Sequence, residues 1–142
     1  MEFTVKNIKT FRGMEGTGYN ATLYLDGKKF AEVLDDAHGG EVNIDCFNKD
    51  DYAILSNYVS TLPKWKSGFS EEMYDMTVGL FVENMINKIL DAKKLEKAKK
   101  KGICFKLNTD NKNTFRTINT HDMAIAVNHL DKQFGNNNYQ FI

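Results

Sequence analysis

The sequence predicts an α+β fold: an antiparallel β-sheet, made of an N-terminal meander and a C-terminal hairpin, packed by a long central helix and shorter helices. Three observations point there. The first third alternates apolar and polar residues by twos between glycine-rich turns. The middle carries apolar residues at helical spacing, punctuated by capping residues and the only proline. The last third returns to β-branched and aromatic residues and then to a second helical stripe. With 142 residues, 42% hydrophobic and 12% aromatic, the chain is expected to form one α+β domain over 1–142. That length lets a chain bury about two-thirds of its unfolded surface, so no disulfide or metal is required for folding.

Phe3, Val5 and Ile8 open an extended segment, and Arg12–Gly18 reads as a glycine-punctuated loop. Tyr19–Leu25 then places Tyr19, Ala21, Leu23 and Leu25 on one face. Asp26-Gly27 signals a type I′ hairpin, because that turn needs positive φ at both central residues. The strand returns over Lys29–Leu34, with Phe30 and Val33 inward. Asp35–Gly40 makes a second turn, and Glu41–Cys46 returns with Val42, Ile44 and Cys46 on one side. The outcome is a three- or four-stranded antiparallel meander.

Asn48 is positioned to cap a helix, with Asp51 three residues on and Tyr52, Leu55, Tyr58, Val59 and Leu62 at helical spacing before Pro63 ends it. Ser70 is the next expected N-cap, with Glu71 and Glu72 favoured by the helix dipole. That helix is expected to reach about Lys100, with Tyr74, Val78, Phe81, Val82, Met85, Ile86, Ile89 and Leu90 as its apolar stripe and Gly102 as its stop. Ile103–Leu107 and Thr114–Ile118 read as a hairpin around Thr109–Asn113. Thr120 is expected to cap a helix over His121–Phe134, with Met123, Ala126, Val127 and Leu130 inward. After the turn Gly135–Asn138, Tyr139–Ile142 forms a short final strand.

Composition narrows the function classes. Nineteen basic residues balance nineteen acidic ones, which argues against a uniformly basic nucleic-acid binder and against a highly charged disordered chain. Seventeen of the basic residues are Lys and only Arg12 and Arg116 are Arg. Arginine supplies the bidentate contacts that read guanine, so base-specific DNA reading is disfavoured. Cys46 and Cys104 form no C-x-x-C pair and are expected to be buried, reduced thiols. The N-terminus has no signal-peptide pattern, and Glu83, Asn84, Asn87 and Lys88 interrupt the longest apolar stretch. A cytoplasmic, soluble protein with no membrane partner is the expectation.

Several features could carry chemistry. Gly13, Gly16 and Gly18 give G-x-x-G-x-G ahead of a strand, the wrong order and context for a dinucleotide fingerprint. Asp35, Asp36 and His38, with Glu41 and Asp45 nearby, suit a polar turn; a divalent-metal or acid–base site is the alternative. His121 and His129 lie two turns apart, about 12 Å of helical rise, too far to share a metal. No nucleophile motif is legible. No catalytic residue, metal or cofactor is therefore assigned, and a non-enzymatic role is expected. Lys93, Lys94, Lys97, Lys100 and Lys101 sit where a helix C-terminus favours cations, and they could also meet an anionic partner. Trp65, between basic residues in a helix–helix connection, is either a lid on the core or a partner anchor. The charge is uneven: residues 26–51 carry eight acids against three lysines, and residues 88–116 carry ten basic residues against three acids.

The block Asn7–Gly16, followed by Tyr19–Tyr24, Asp26–Lys29, Asp35-Asp36 and His38–Gly40, resembles the start of small phage and mobile-element accessory proteins. The likeness spans only turn glycines and hairpin residues. It implies an accessory protein acting on host machinery, inhibitors of host defence included, and it names no catalytic residue. The expected function is thus binding and modulation of a host protein. The candidate contacts are Lys93, Lys94, Lys97, Lys100, Lys101, Trp65, Asp35, Asp36 and His38. Non-sequence-specific binding of nucleic acid or nucleotide through the lysine-rich helix end is the alternative.

Overall fold

Turn chemistry and alternation in the first 46 residues produce a four-stranded antiparallel meander. The computed structural model describes residues 1–66, 71–111 and 114–142. The strands β1 (Phe3–Gly13), β2 (Gly16–Leu25), β3 (Lys28–Asp35) and β4 (Asn43–Cys46) lie in the order β1-β2-β3-β4. Asp26 and Gly27 adopt φ of 49° and 84°, as the expected hairpin requires. The expected loop over Arg12–Gly18 is instead strand: Arg12 pairs Thr17 and Gly13 pairs Gly16, which leaves Met14-Glu15 as a two-residue turn. Gly13 and Gly18 serve close approach, while Gly16 supplies the positive φ of 121° at the turn. A Cβ on Gly13 would overlap that of Ala37, and one on Gly18 would overlap the Asp35 carbonyl oxygen.

Two bulges set which residues face inward. One falls between Lys6 and Lys9, where Asn7 takes a φ of 59°. The other leaves Phe30 without a partner between Lys29, opposite Tyr24, and Ala31, opposite Leu23. Phe30, Ala31 and Val33 are therefore all buried, which simple alternation does not allow.

The first helix, α1 (Asp51–Ser60), buries Leu55 and Val59. Asn48 does not cap it directly; its side chain accepts from the Asp50 N–H, and Asp50 occupies the N-cap position without a side-chain cap bond. The next helix begins later than expected. Trp65–Lys66 (β5) and Met73–Tyr74 (β6) form a small antiparallel ladder, with the Trp65 and Tyr74 rings 5.5 Å apart. This pairing takes Tyr74 out of the helical stripe and leaves Glu71 and Glu72 ahead of the helix. The helix α2 (Val78–Lys101) starts after Thr77, whose hydroxyl accepts from the Leu80 N–H. The expected cap Ser70 lies outside the described residues, as do Ser67–Phe69 of the connection around Trp65 and Lys112-Asn113 of the later turn.

The chain forms two compact units, Met1–Asn87 and Lys88–Ile142, with α2 contributing to both. In the first unit the ring of Phe3 meets Phe30 at 5.4 Å, Tyr58 at 5.0 Å and Phe81 at 5.9 Å, which ties the meander to α1 and to the start of α2. Leu23, Leu55, Val82 and Ile86 complete that core.

In the second unit β7 (Ile103–Leu107) lies between β8 (Arg116–Ile118) and β9 (Tyr139–Phe141), all antiparallel. The helix α3 (Met123–Phe134) buries Ala126 and Leu130, while Met123 is half exposed rather than inward. Its N-cap is Asp122, which accepts from the Ala124 and Ile125 N–H groups; Thr120, the expected cap, instead accepts from the Asp122 N–H. Gly102 ends α2 without a left-handed turn. A Cβ there would overlap the Ile118 carbonyl oxygen, so glycine is needed for the approach of β8. The architecture is α+β, and no helix among the described residues is long and apolar enough to cross a membrane.

Candidate functional site: a lysine stripe and a neighbouring groove

The division into units resolves the charge balance. Lys88–Ile142 holds eleven basic and five acidic residues, a net of +6. Met1–Asn87 holds eight basic and fourteen acidic residues, a net of −6.

Helical geometry groups the basic residues further. At 3.6 residues per turn, Lys93, Lys94, Lys97, Lys100 and Lys101 fall within an arc of about 120° and over about 12 Å of rise. Leu95 and Ala98, the half-buried residues of these turns, lie outside that arc. All five lysines are exposed, and none forms an ion pair with a carboxylate among the described residues. The last turn carries Lys99, Lys100 and Lys101, where the negative end of the helix dipole favours cations. Dipole matching explains charge at the end; it does not explain why five lysines share one stripe free of acids.

Beside the stripe lies an open groove of about 630 Å³, lined by Asp91, Ala92, Lys94 and Leu95 of α2 and by Lys106, Thr114, Phe115, Gln140, Phe141 and Ile142. Strand register builds its floor. Lys106 pairs Gln140 across β7 and β9, and the pairing of Phe105 with Arg116 brings Phe115 beside Lys106 on the other side. Sequence reasoning missed Lys106 and Phe115. The available signal was period 2: Lys106 shares a strand face with buried Cys104, an unusual place for a lysine. Next to the groove, Arg116 holds Asp110 through two 3.1 Å bonds, and the Leu107 N–H donates to the same carboxylate. The Arg116 bonds, then the Leu107 bond, hold the Asp110 carboxyl below its usual value.

The acidic candidates form a turn with internal partners. Asp35 accepts from the Ala37 N–H at 2.9 Å and Asp36 from the His38 N–H at 3.0 Å, while His38 Nδ1 lies 3.4 Å from Asp36. The Glu15 N–H donates to the Ala37 carbonyl, docking the first hairpin tip on this turn. Among the described residues, no three His, Cys, Asp or Glu side chains converge to hold a metal ion. Trp65 is half-buried against Tyr74, flanked by the Lys64–Asp75 and Lys66–Glu71 ion pairs. His121 and His129 are exposed. Both cysteines are free, and Cys46 is half-buried rather than buried. Burial, followed by Asp51 and Asp45, pushes the Cys46 thiol pKa up, which disfavours the reactive thiolate. The structure thus gathers the five lysines on one face. Asp35, Asp36, His38 and Trp65 belong to the other unit.

Searches against protein-family models, curated proteins and solved structures find no match to this chain.

Proposed function

We propose that this chain is a non-enzymatic binding protein of phage or mobile-element origin, which engages an acidic surface of a host protein through the lysine stripe of α2. Inhibition of a host defence system is one activity such an accessory protein would have. The observation that carries this reading is the arc of five exposed lysines, without carboxylate ion-pair partners among the described residues, on a unit of net charge +6. Electrostatic surfaces of this kind speed encounter and select partners of opposite sign. The N-terminal likeness to phage accessory proteins supports the origin. The scarcity of arginine favours a protein partner over base-specific DNA. Capture from nuclease-treated host lysate tests the reading, comparing the wild type with a variant in which all five lysines are Gln. The wild type is expected to retain a host protein that the variant loses. An identical captured set, or capture that disappears with nuclease, contradicts the reading; the second result would favour nucleic-acid phosphates as the ligand.

A further inference from the structure

We infer that the groove between α2 and the second unit's sheet is a ribonucleoside-phosphate site, which borders the surface proposed for a protein partner and shares Lys94 with it. The groove's 630 Å³ falls in the range of small-molecule sites. Its lining pairs the three chemistries such a ligand needs. Lys94 and Lys106 are cations without carboxylate ion-pair partners among the described residues, and Lys106 is half-buried on the sheet floor. An ammonium held in a partly desolvated groove is stabilised by an anion of phosphate type. Phe115, which precedes β8 and lines the groove with Lys106, offers an aromatic surface on which any base can stack. Asp91, one helical turn before Lys94, is the carboxylate side chain in the lining. It would repel phosphate and accept hydrogen bonds from sugar hydroxyls, which orients the ligand along the groove. Neighbouring Asp110 is held chiefly by Arg116 and only secondarily by the charge of Lys106, which makes no ion pair with it within 4 Å.

Calorimetric titration of the full chain at low salt tests this, with AMP, adenosine and inorganic phosphate as separate probes. AMP is expected to bind saturably and more tightly than either fragment. Lys106→Met is expected to weaken AMP binding about tenfold, the worth of one charge-assisted contact. Phe115→Leu should weaken AMP and adenosine while leaving phosphate unchanged. Lys94→Gln, at an exposed helix position, should weaken AMP without affecting folding. It keeps the test decisive if Lys106→Met unfolds, which the far-ultraviolet spectrum would report. Lys97→Gln, on the stripe and outside the groove, should leave AMP binding intact, so failure of this site and failure of the partner surface are distinguishable. The inference is overturned if AMP gives no saturable heat, if it binds no better than phosphate, or if Lys94→Gln and Lys106→Met bind as the wild type does.

Discussion

Single residues carry the local constraints, and several of them have measurable consequences. The Tyr19 hydroxyl is buried with no hydrogen-bond partner among the described residues. Burial, then Glu83 and Asp35, drives its pKa upward, so it stays a neutral phenol. Tyr19→Phe should therefore raise stability by about 1 kcal/mol, because an unsatisfied buried hydroxyl carries a desolvation cost. A urea melt checks this, and a fall of the midpoint would mean that the hydroxyl has a stabilising partner. Gly102→Ala should do the opposite, costing about 1–3 kcal/mol through the clash with the Ile118 carbonyl, read from the same melt. Asp110 gives a pH signature. Its carboxyl pKa is lowered by Arg116, so its stabilising contribution is complete above the ordinary carboxylate value of about 4 and disappears as pH falls through the lowered value. Urea midpoints measured across that acid range should fall more steeply in the wild type than in Asp110→Asn. At this scale the Asp26-Gly27 turn was legible, because its two positive φ angles are a local demand. Gly102 does stop α2, as its sequence position suggests, but the close approach that requires glycine there comes from a carbonyl sixteen residues away, which local sequence does not show.

At the scale of elements, periodicity located the strands and helices, while their ends depended on competition between neighbouring segments. The four strands of the meander follow from alternation, yet the Phe30 bulge is invisible to it, since adding one residue reverses parity only through pairing with β2. The start of α2 was misplaced because the Trp65–Tyr74 ladder, a contact between segments, outcompetes a helical signal from Glu71 and Glu72. The α3 cap shows a closer contest: Thr120 and Asp122 both suit the N-cap, and the carboxylate that reaches two N–H groups holds it. Asp122→Ala should cost about 1 kcal/mol, and Thr120→Ala less, in thermal or urea melts. Equal losses would contradict this assignment. Among the candidate residues, the lysines were legible as a run, and helical spacing then sorts Lys93, Lys94, Lys97, Lys100 and Lys101 onto one arc and Lys88 and Lys99 off it. The groove was not legible, because Lys106, Phe115 and Gln140 come together only through strand register.

For the whole molecule, a net charge of zero conceals two units of opposite sign, −6 and +6. A chain of this kind should be retained at neutral pH by a cation exchanger despite its overall neutrality. Replacing the five stripe lysines by Gln should abolish that retention, and equal elution of both proteins would show that the stripe is not an accessible cationic face. The same surface underlies the proposed function, whose defining property is electrostatic attraction to an acidic protein. The most direct test is the salt dependence of binding between the purified chain and the host protein that it captures. Affinity is predicted to fall about tenfold or more as the salt rises from low to physiological ionic strength and above. The five-lysine variant should bind weakly at every salt concentration. Salt-independent binding, or equal affinity of the variant and the wild type, would contradict the claim that the lysine stripe of α2 is the docking surface.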